Sequence, residues 1–183
     1  HREGAEPEAW RGKDMLRNFG AVYYNAEVYV DGVFAARHIG GSSSFSVDLT
    51  RLVTPGKSHH LVVRATSDVR STTQGAGKQN LHYASYGCNY TRTIGIWQTV
   101  WMEAVDEEGL KSVFATPDID QQQLVIRPQI YGQKAANKLV VTLYDGKKEV
   151  ARKSVPCGDG SVVVLPVKGM KLWSPESPFL YGL

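Results

Sequence analysis

Only two cysteines occur among the 183 residues, Cys88 and Cys157. So few, so far apart, exclude a disulfide-stapled scaffold. A bond between them is not expected, and both read as free, partly buried thiols. No apolar run approaches the roughly 20 residues that span a bilayer. No block of like charge occurs either: 21 basic residues face 18 acidic ones and are scattered. A nucleic-acid partner would need a basic stripe or cluster, so none is expected. The polar start, His1 to Trp10, has no apolar core of a signal peptide. With no initiator Met, the chain is expected to be processed, trimmed or a cloned piece. It reads as soluble, and a leader removed earlier would make it periplasmic or secreted.

Reactive constellations are lacking as well. His38, His59, His60, His82 and the two cysteines show no zinc-ligand spacing, and the adjacent His59-His60 reads as exposed loop. No Gly-x-Ser-x-Gly elbow and no phosphate-cradling loop is present. Neither metal nor cofactor is expected. Three carboxylate pairs stand close in sequence: Glu6 with Glu8, Glu107 with Glu108, and Asp118 with Asp120. All read as solvated surface charge, without the apolar frame that raises an acid's pKa.

What is present is β-structure. The composition, 42% hydrophobic and 10% aromatic, is that of a folded protein. Glycine and proline punctuate it at short intervals, and no long segment has helical periodicity. Strands are expected at Met15–Phe19, Ala26–Val30, Phe45–Leu49 and Leu61–Ala65, the last buried. Asp31-Gly32 before Val33 signals a hairpin whose turn residues take positive φ. Asp48 or Thr50 is placed to cap a single helical turn through Leu52-Val53. A long polar segment runs from Thr66 to about Tyr86, and loops of that length in a compact domain are usually functional or mobile.

Gly95-Ile-Trp-Gln-Thr-Val-Trp-Met-Glu-Ala-Val105 reads as one long closing strand. Bulky groups on both faces predict an interior position, with Trp97 and Trp101 on the same side as core. Asp106-Glu-Glu-Gly109 is a linker, so the expected domains are 1–106 and 107–183. In the second, strands are expected at 110–115, 123–131, 138–144, 148–155 and 161–167, with Asp145-Gly146 as a hairpin turn. Short strands in this number, without a helix, suggest an immunoglobulin-like sandwich.

Several segments, in order, resemble the non-catalytic front half of family-2 glycoside hydrolases, the β-galactosidase, β-glucuronidase and β-mannosidase group. They are Phe19–Tyr24 with Ala26–Gly32, Gly40-Gly41 with Phe45–Thr50, Gly77-Lys-Gln79, Arg92–Glu103, and Leu172-Trp-Ser-Pro-Glu-Ser-Pro-Phe-Leu-Tyr181. The resemblance implies an all-β chain: a sugar-binding jelly roll, then an immunoglobulin-like sandwich. It implies that a catalytic (β/α)8 barrel of the same parent chain follows Leu183, and that the first jelly-roll strands are missing before Trp10, leaving an exposed or re-paired sheet edge. Both catalytic glutamates would come from that barrel, so no catalytic residue is expected here.

Aromatic faces and planar polar groups recognise sugars. Such groups crowd the segment from Lys78 to Trp97, where Arg92, Asn89, Tyr90, Tyr83 and Gln79 are the accessory candidates, with Asn80 and Tyr86 beside them. Asn89 stands where relatives carry an acidic residue six positions before the strand's glycine, Gly95. Arg92 reads equally as a sugar contact or as an ion pair fixing the loop. Trp173 is expected at the seam with the barrel. The expected function is the supporting portion of a retaining, β-galactosidase-like glycosidase; the alternative is a free-standing carbohydrate-binding module. β-Galactoside is the expected sugar, with β-glucuronide and β-mannoside open.

Overall fold

The computed structural model describes residues 2–132, 138–158 and 160–183; His1, at the head of the polar start, lies outside them. The chain divides into two compact units, His1–Val105 and Asp106–Leu183. Among the described residues the regular structure is all strand apart from one 3-10 turn at Glu8–Trp10.

The first unit contains nine strands: β1 (Arg2–Ala5), β2 (Asp14–Phe19), β3 (Val22–Tyr23), β4 (Asn25–Val30), β5 (Val33–Ile39), β6 (Phe45–Asp48), β7 (Ser58–Thr66), β8 (Gly95–Ile96) and β9 (Val100–Val105). They form a four-stranded sheet, β1-β7-β4-β5, a three-stranded sheet, β6-β2-β9, and the short pair β3-β8. All pairings are antiparallel.

Period-two alternation explains the core. Ala26, Val28 and Val30 of β4 point to one face and are buried, as are Met15 and Phe19 of β2 and Val47 of β6. Leu61, Val63 and Ala65 of β7 and Val100 and Met102 of β9 close over them. Residues of both larger sheets meet in this cluster, which makes the unit a β-sandwich. Asp31 (φ 48°) and Gly32 (φ 82°) supply the two left-handed residues that turn β4 into β5.

Several expectations need correction. β7 is half-buried, not buried, because its alternate residues face outward. The turn after β6, by contrast, is the expected single turn: Leu52 N and Val53 N both donate to Leu49 O, and Asp48 Oδ1 caps it by accepting from Thr50 N. The long closing strand is broken into β8 and β9 at residues 97–99, and β9 lies at the edge of its sheet among the described strands. Trp97 and Trp101 are accordingly surface residues, 57% and 40% exposed, not core. Trp97 Nε1 donates to Gly41 O at 2.7 Å. Glycine at 41 also makes room for the Tyr23 ring, with which a Cβ there would collide. β1 covers one side of β7, a strand the sequence did not signal.

The second unit contains β10 (Leu110–Asp118), β11 (Gln123–Ile130), β12 (Lys138–Asp145), β13 (Lys148–Pro156) and β14 (Val163–Pro166). Sheet β10-β11-β14 and hairpin β12-β13 bury Ile126, Val141, Val163 and Leu165 between them. The hairpin turn falls on Gly146 and Lys147, one residue later than expected, since Asp145 pairs with Lys148. Cys157 is buried and Cys88 exposed, so only the first fits the expected partly buried thiol.

Candidate functional site in the loop before the closing strands

Tyr23 and Gln74 anchor the long loop between β7 and β8. Tyr23 Oη donates to Gly75 O at 2.8 Å and accepts from Gln74 Nε2 at 2.7 Å. Gln74 Oε1 in turn accepts from Asp68 N at 3.0 Å. One amide side chain therefore ties β3 to both ends of the loop's first bend.

The second bend is built around Asn80, a polar residue only 2% exposed. Its Nδ2 donates to Ala84 O at 2.6 Å, and its Oδ1 accepts from His82 N at 2.9 Å. Its backbone N donates to Tyr90 O, and Tyr90 N returns a bond to Lys78 O. Asn80 is thus the keystone of the bend and not a surface contact for sugar. The one local signal for it is the Asn-x-His spacing of an Asx turn.

The five candidates take different positions on this frame. Tyr83 is 90% exposed, and the Arg92 guanidinium lies 5.0 Å from its ring centroid. The described partner of Arg92 is therefore an aromatic face, not a carboxylate. Tyr90 is exposed and pairs through its backbone with Gln79. Gln79 accepts from Thr93 N at 2.9 Å, so its amide oxygen is engaged in holding the loop. Asn89 lies at the exposed end of the Tyr86–Asn89 turn, where Asn89 N donates to Tyr86 O. Tyr83 with Arg92, and Gln79 with Tyr90, are brought together; Asn89 stands apart from the Arg92 pair among the described contacts. Arg92 also lines a cavity of about 270 Å³ with Ser67, Asp68, Arg70, Thr93 and Ile94.

The carboxylates separate sharply. Glu8 is exposed and pairs with Arg11. Glu6 contradicts the expectation of a solvated charge: it is 8% exposed and faces Arg17 at 3.7 Å. Asp118 Oδ1 accepts from Gln121 N and its Oδ2 from Gln123 Nε2. Those bonds, the Gln121 N–H foremost, hold its carboxyl below the usual range, the opposite of what a proton donor needs. His59 is also not exposed loop. It sits in β7, with Nδ1 2.6 Å from Asp31 Oδ2 and Nε2 accepting from Thr54 N at 2.9 Å. The Thr54 N–H requires a bare Nε2, so the ring proton lies on Nδ1 and goes to Asp31. Among the described residues no group of His, Cys, Asp or Glu could hold a metal ion.

The loop is thus exposed and hydrogen-bonded, and it carries rings and a guanidinium. No protein-family model matches the chain. Curated relatives do. A β-glucuronidase of Paenibacillus borealis is 24% identical over 97% of this chain and 31% of that protein. A β-galactosidase of Thermoanaerobacter pseudethanolicus is 26% identical over 96% of this chain and 24% of its own length. The β-galactosidase BoGH2A of Bacteroides ovatus is 29% identical over 94% and 20%. All three relatives are glycosidases by name.

The chain spans between 20 and 31% of the length of these three relatives. Among solved structures, the Ruminococcus gnavus β-glucuronidase matches with a TM-score of 0.75 at 22% identity, over 98% of this chain and 30% of that one. A glycosyl hydrolase family 2 member from Bacteroides cellulosilyticus matches with a TM-score of 0.72 at 20% identity, over 98% and 25%. The fold of this chain is therefore one that both of these enzymes contain. No helix among the described residues is long and apolar enough to cross a membrane.

Proposed function

We propose that the chain is the non-catalytic front portion of a retaining family-2 glycosidase: a sugar-binding jelly roll, 1–106, followed by an immunoglobulin-like sandwich, 107–183. The observation that carries this reading is the match over nearly the whole chain to about a quarter of much longer glycosidases. The catalytic carboxylate pair belongs to the (β/α)8 barrel of the same parent chain. Its substrate is a β-galactoside or a β-glucuronide, the two substrates named among the relatives.

The loop is the part that reaches the sugar. Tyr83 offers a flat face, and Arg92, laid on that ring, offers fixed donors to paired hydroxyls or a carboxylate. Tyr90 and Asn89 add donors beside them, and Gln79 acts through the loop's shape. Trp173, 58% exposed beside Leu172 and Leu180, belongs to the surface the barrel covers. Calorimetry on the purified 183-residue chain separates this reading from a free-standing module. The proposal expects no tight binding of lactose or glucuronic acid through the loop without the barrel. Strong binding lost on Arg92→Ala would establish the module instead.

A further inference from the structure

The two stems of the long loop share a cavity of about 270 Å³. Ser67, Asp68 and Arg70 line it from the stem that follows β7, and Arg92 and Thr93 from the stem that precedes β8. Both stems are fixed. On the first, Arg70 N donates to Asp68 Oδ1 at 3.0 Å and Ser71 N to Asp68 O at 2.9 Å, while Val69 is buried. On the second, Thr93 N donates to Gln79 Oε1, and the Arg92 guanidinium lies over the Tyr83 ring.

Two guanidiniums therefore line one small space. Among the described residues neither is paired with a carboxylate. A guanidinium stays charged at every ordinary pH, so the repulsion between them is not relieved by losing a proton. The rest of the lining is rich in donors. Ser67 Oγ accepts from Gln74 Nε2 at 2.8 Å, which leaves its own proton to give. Thr93 adds a second hydroxyl. Asp68 is the single carboxylate in the lining, and its Oδ1 already accepts from Arg70 N. A sugar hydroxyl both gives and takes hydrogen bonds, whereas an oxyanion only takes them, and a surplus of fixed donors with two positive charges suits the second.

We propose that the space between Arg70 and Arg92 is an anion site that holds one oxyanion, a carboxylate or a sulfate, by charge-assisted hydrogen bonds. The cavity has room for such a group and several waters at about 30 Å³ each. The anion is either free in solution or the acid group of the ligand that meets the loop. The second source rests on the function proposed for the loop; the site itself does not.

The test follows the arginine side-chain N–H resonances of the full 183-residue chain by NMR at fixed ionic strength. Sodium sulfate, sodium glucuronate and neutral methyl β-galactoside are titrated in turn. The anions should give saturable shifts at Arg70 and Arg92, with a Kd on the order of 1 mM for so open a site, and the galactoside none. Arg51, exposed and outside the cavity, should respond only as to added salt. Arg70→Ala should weaken the anion response at Arg92 about tenfold, the loss of one charge-assisted contact, and Arg70→Lys should recover part of it. Arg92→Ala, read at Arg70, repeats the test from the other stem, and thermal melts check that each variant folds. Tighter binding of glucuronate than of sulfate assigns the anion to a sugar ligand; sulfate binding as tightly or more tightly assigns a free oxyanion. Unsaturable shifts like those of Arg51, an equal response to the galactoside, or binding unchanged in both alanine variants overturns the proposal. That failure is distinct from failure of the front-portion reading, which would show as tight binding of lactose.

Discussion

The sandwich of the first unit and the loop that leaves it are held by opposite means. Strand β4 owes its place to alternation: Ala26, Val28 and Val30 are buried, and the residues between them face outward. The loop from Gln74 to Thr93 has almost no apolar anchor. It is held by Tyr23, Gln74, Gln79 and above all Asn80, through directed hydrogen bonds. Apolar burial makes a sheet stable but leaves its surface plain. Polar bonding frees the loop's aromatic residues, so Tyr83, Tyr86 and Tyr90 stand in solvent, available to a ligand.

The largest effect should come from the sandwich. Phe19, fully buried and stacked on Phe45 at 4.7 Å, should cost about 3–5 kcal/mol as Phe19→Ala, by transfer and cavity terms. Urea denaturation followed by circular dichroism should show the first unit's transition moving far down or vanishing. Asn80→Ala should break the loop without breaking the sheet. It removes two described side-chain bonds, at about 1–3 kcal/mol of local cost. Hydrogen exchange should then speed up at residues 76–93 while β4 and β7 stay protected. Equal loss of protection in both would show that loop and sandwich are one cooperative unit.

Acid sharpens the contrast at the hairpin end. Asp31 is held below its usual pKa first by the His59 ring hydrogen bond and then by the His60 N–H. A depressed folded-state pKa gives stability that is full above the unfolded value, about 3.9, and lost as pH falls through the folded one. Asp31→Asn should flatten that part of the acid limb in a pH series of melting temperatures and leave the neutral-pH loop contacts unaltered. An unchanged acid limb would show that the Asp31 carboxylate does not contribute to stability in acid. The smallest effect on stability should be that of Arg92→Ala, within about 0.5 kcal/mol for a surface change. In the full-length parent it should raise the KM for a nitrophenyl glycoside more than it lowers kcat; an effect on kcat alone would contradict a binding role.

The alternating strands were legible because burial writes a period into the residues. Met15–Phe19, Ala26–Val30 and the Asp31-Gly32 turn all lie where alternation and turn chemistry place them, to within a residue. β1 was not, since Arg-Glu-Gly-Ala carries no β-branched or aromatic residue to announce it. The break at residues 97–99 was hidden for the opposite reason: two tryptophans imitate an interior strand, while Trp97 lies outside, its ring donating to Gly41. Glu6 and His59 were misread as solvated because their partners, Arg17, Asp31 and Thr54, are brought near only by the fold. For the loop, length and polarity were plain, but nothing local separated the buried Asn80 from the exposed Asn89 beyond an Asx spacing.

We propose that these two sandwiches shape a sugar site and cleave no bond. The most direct measurement is nitrophenol release from nitrophenyl β-galactoside and nitrophenyl β-glucuronide by the purified 183-residue chain. Rates equal to buffer are predicted for both substrates at every pH tested. Release above buffer that scales with protein concentration and falls on substitution of Glu6 or Asp118 would contradict it.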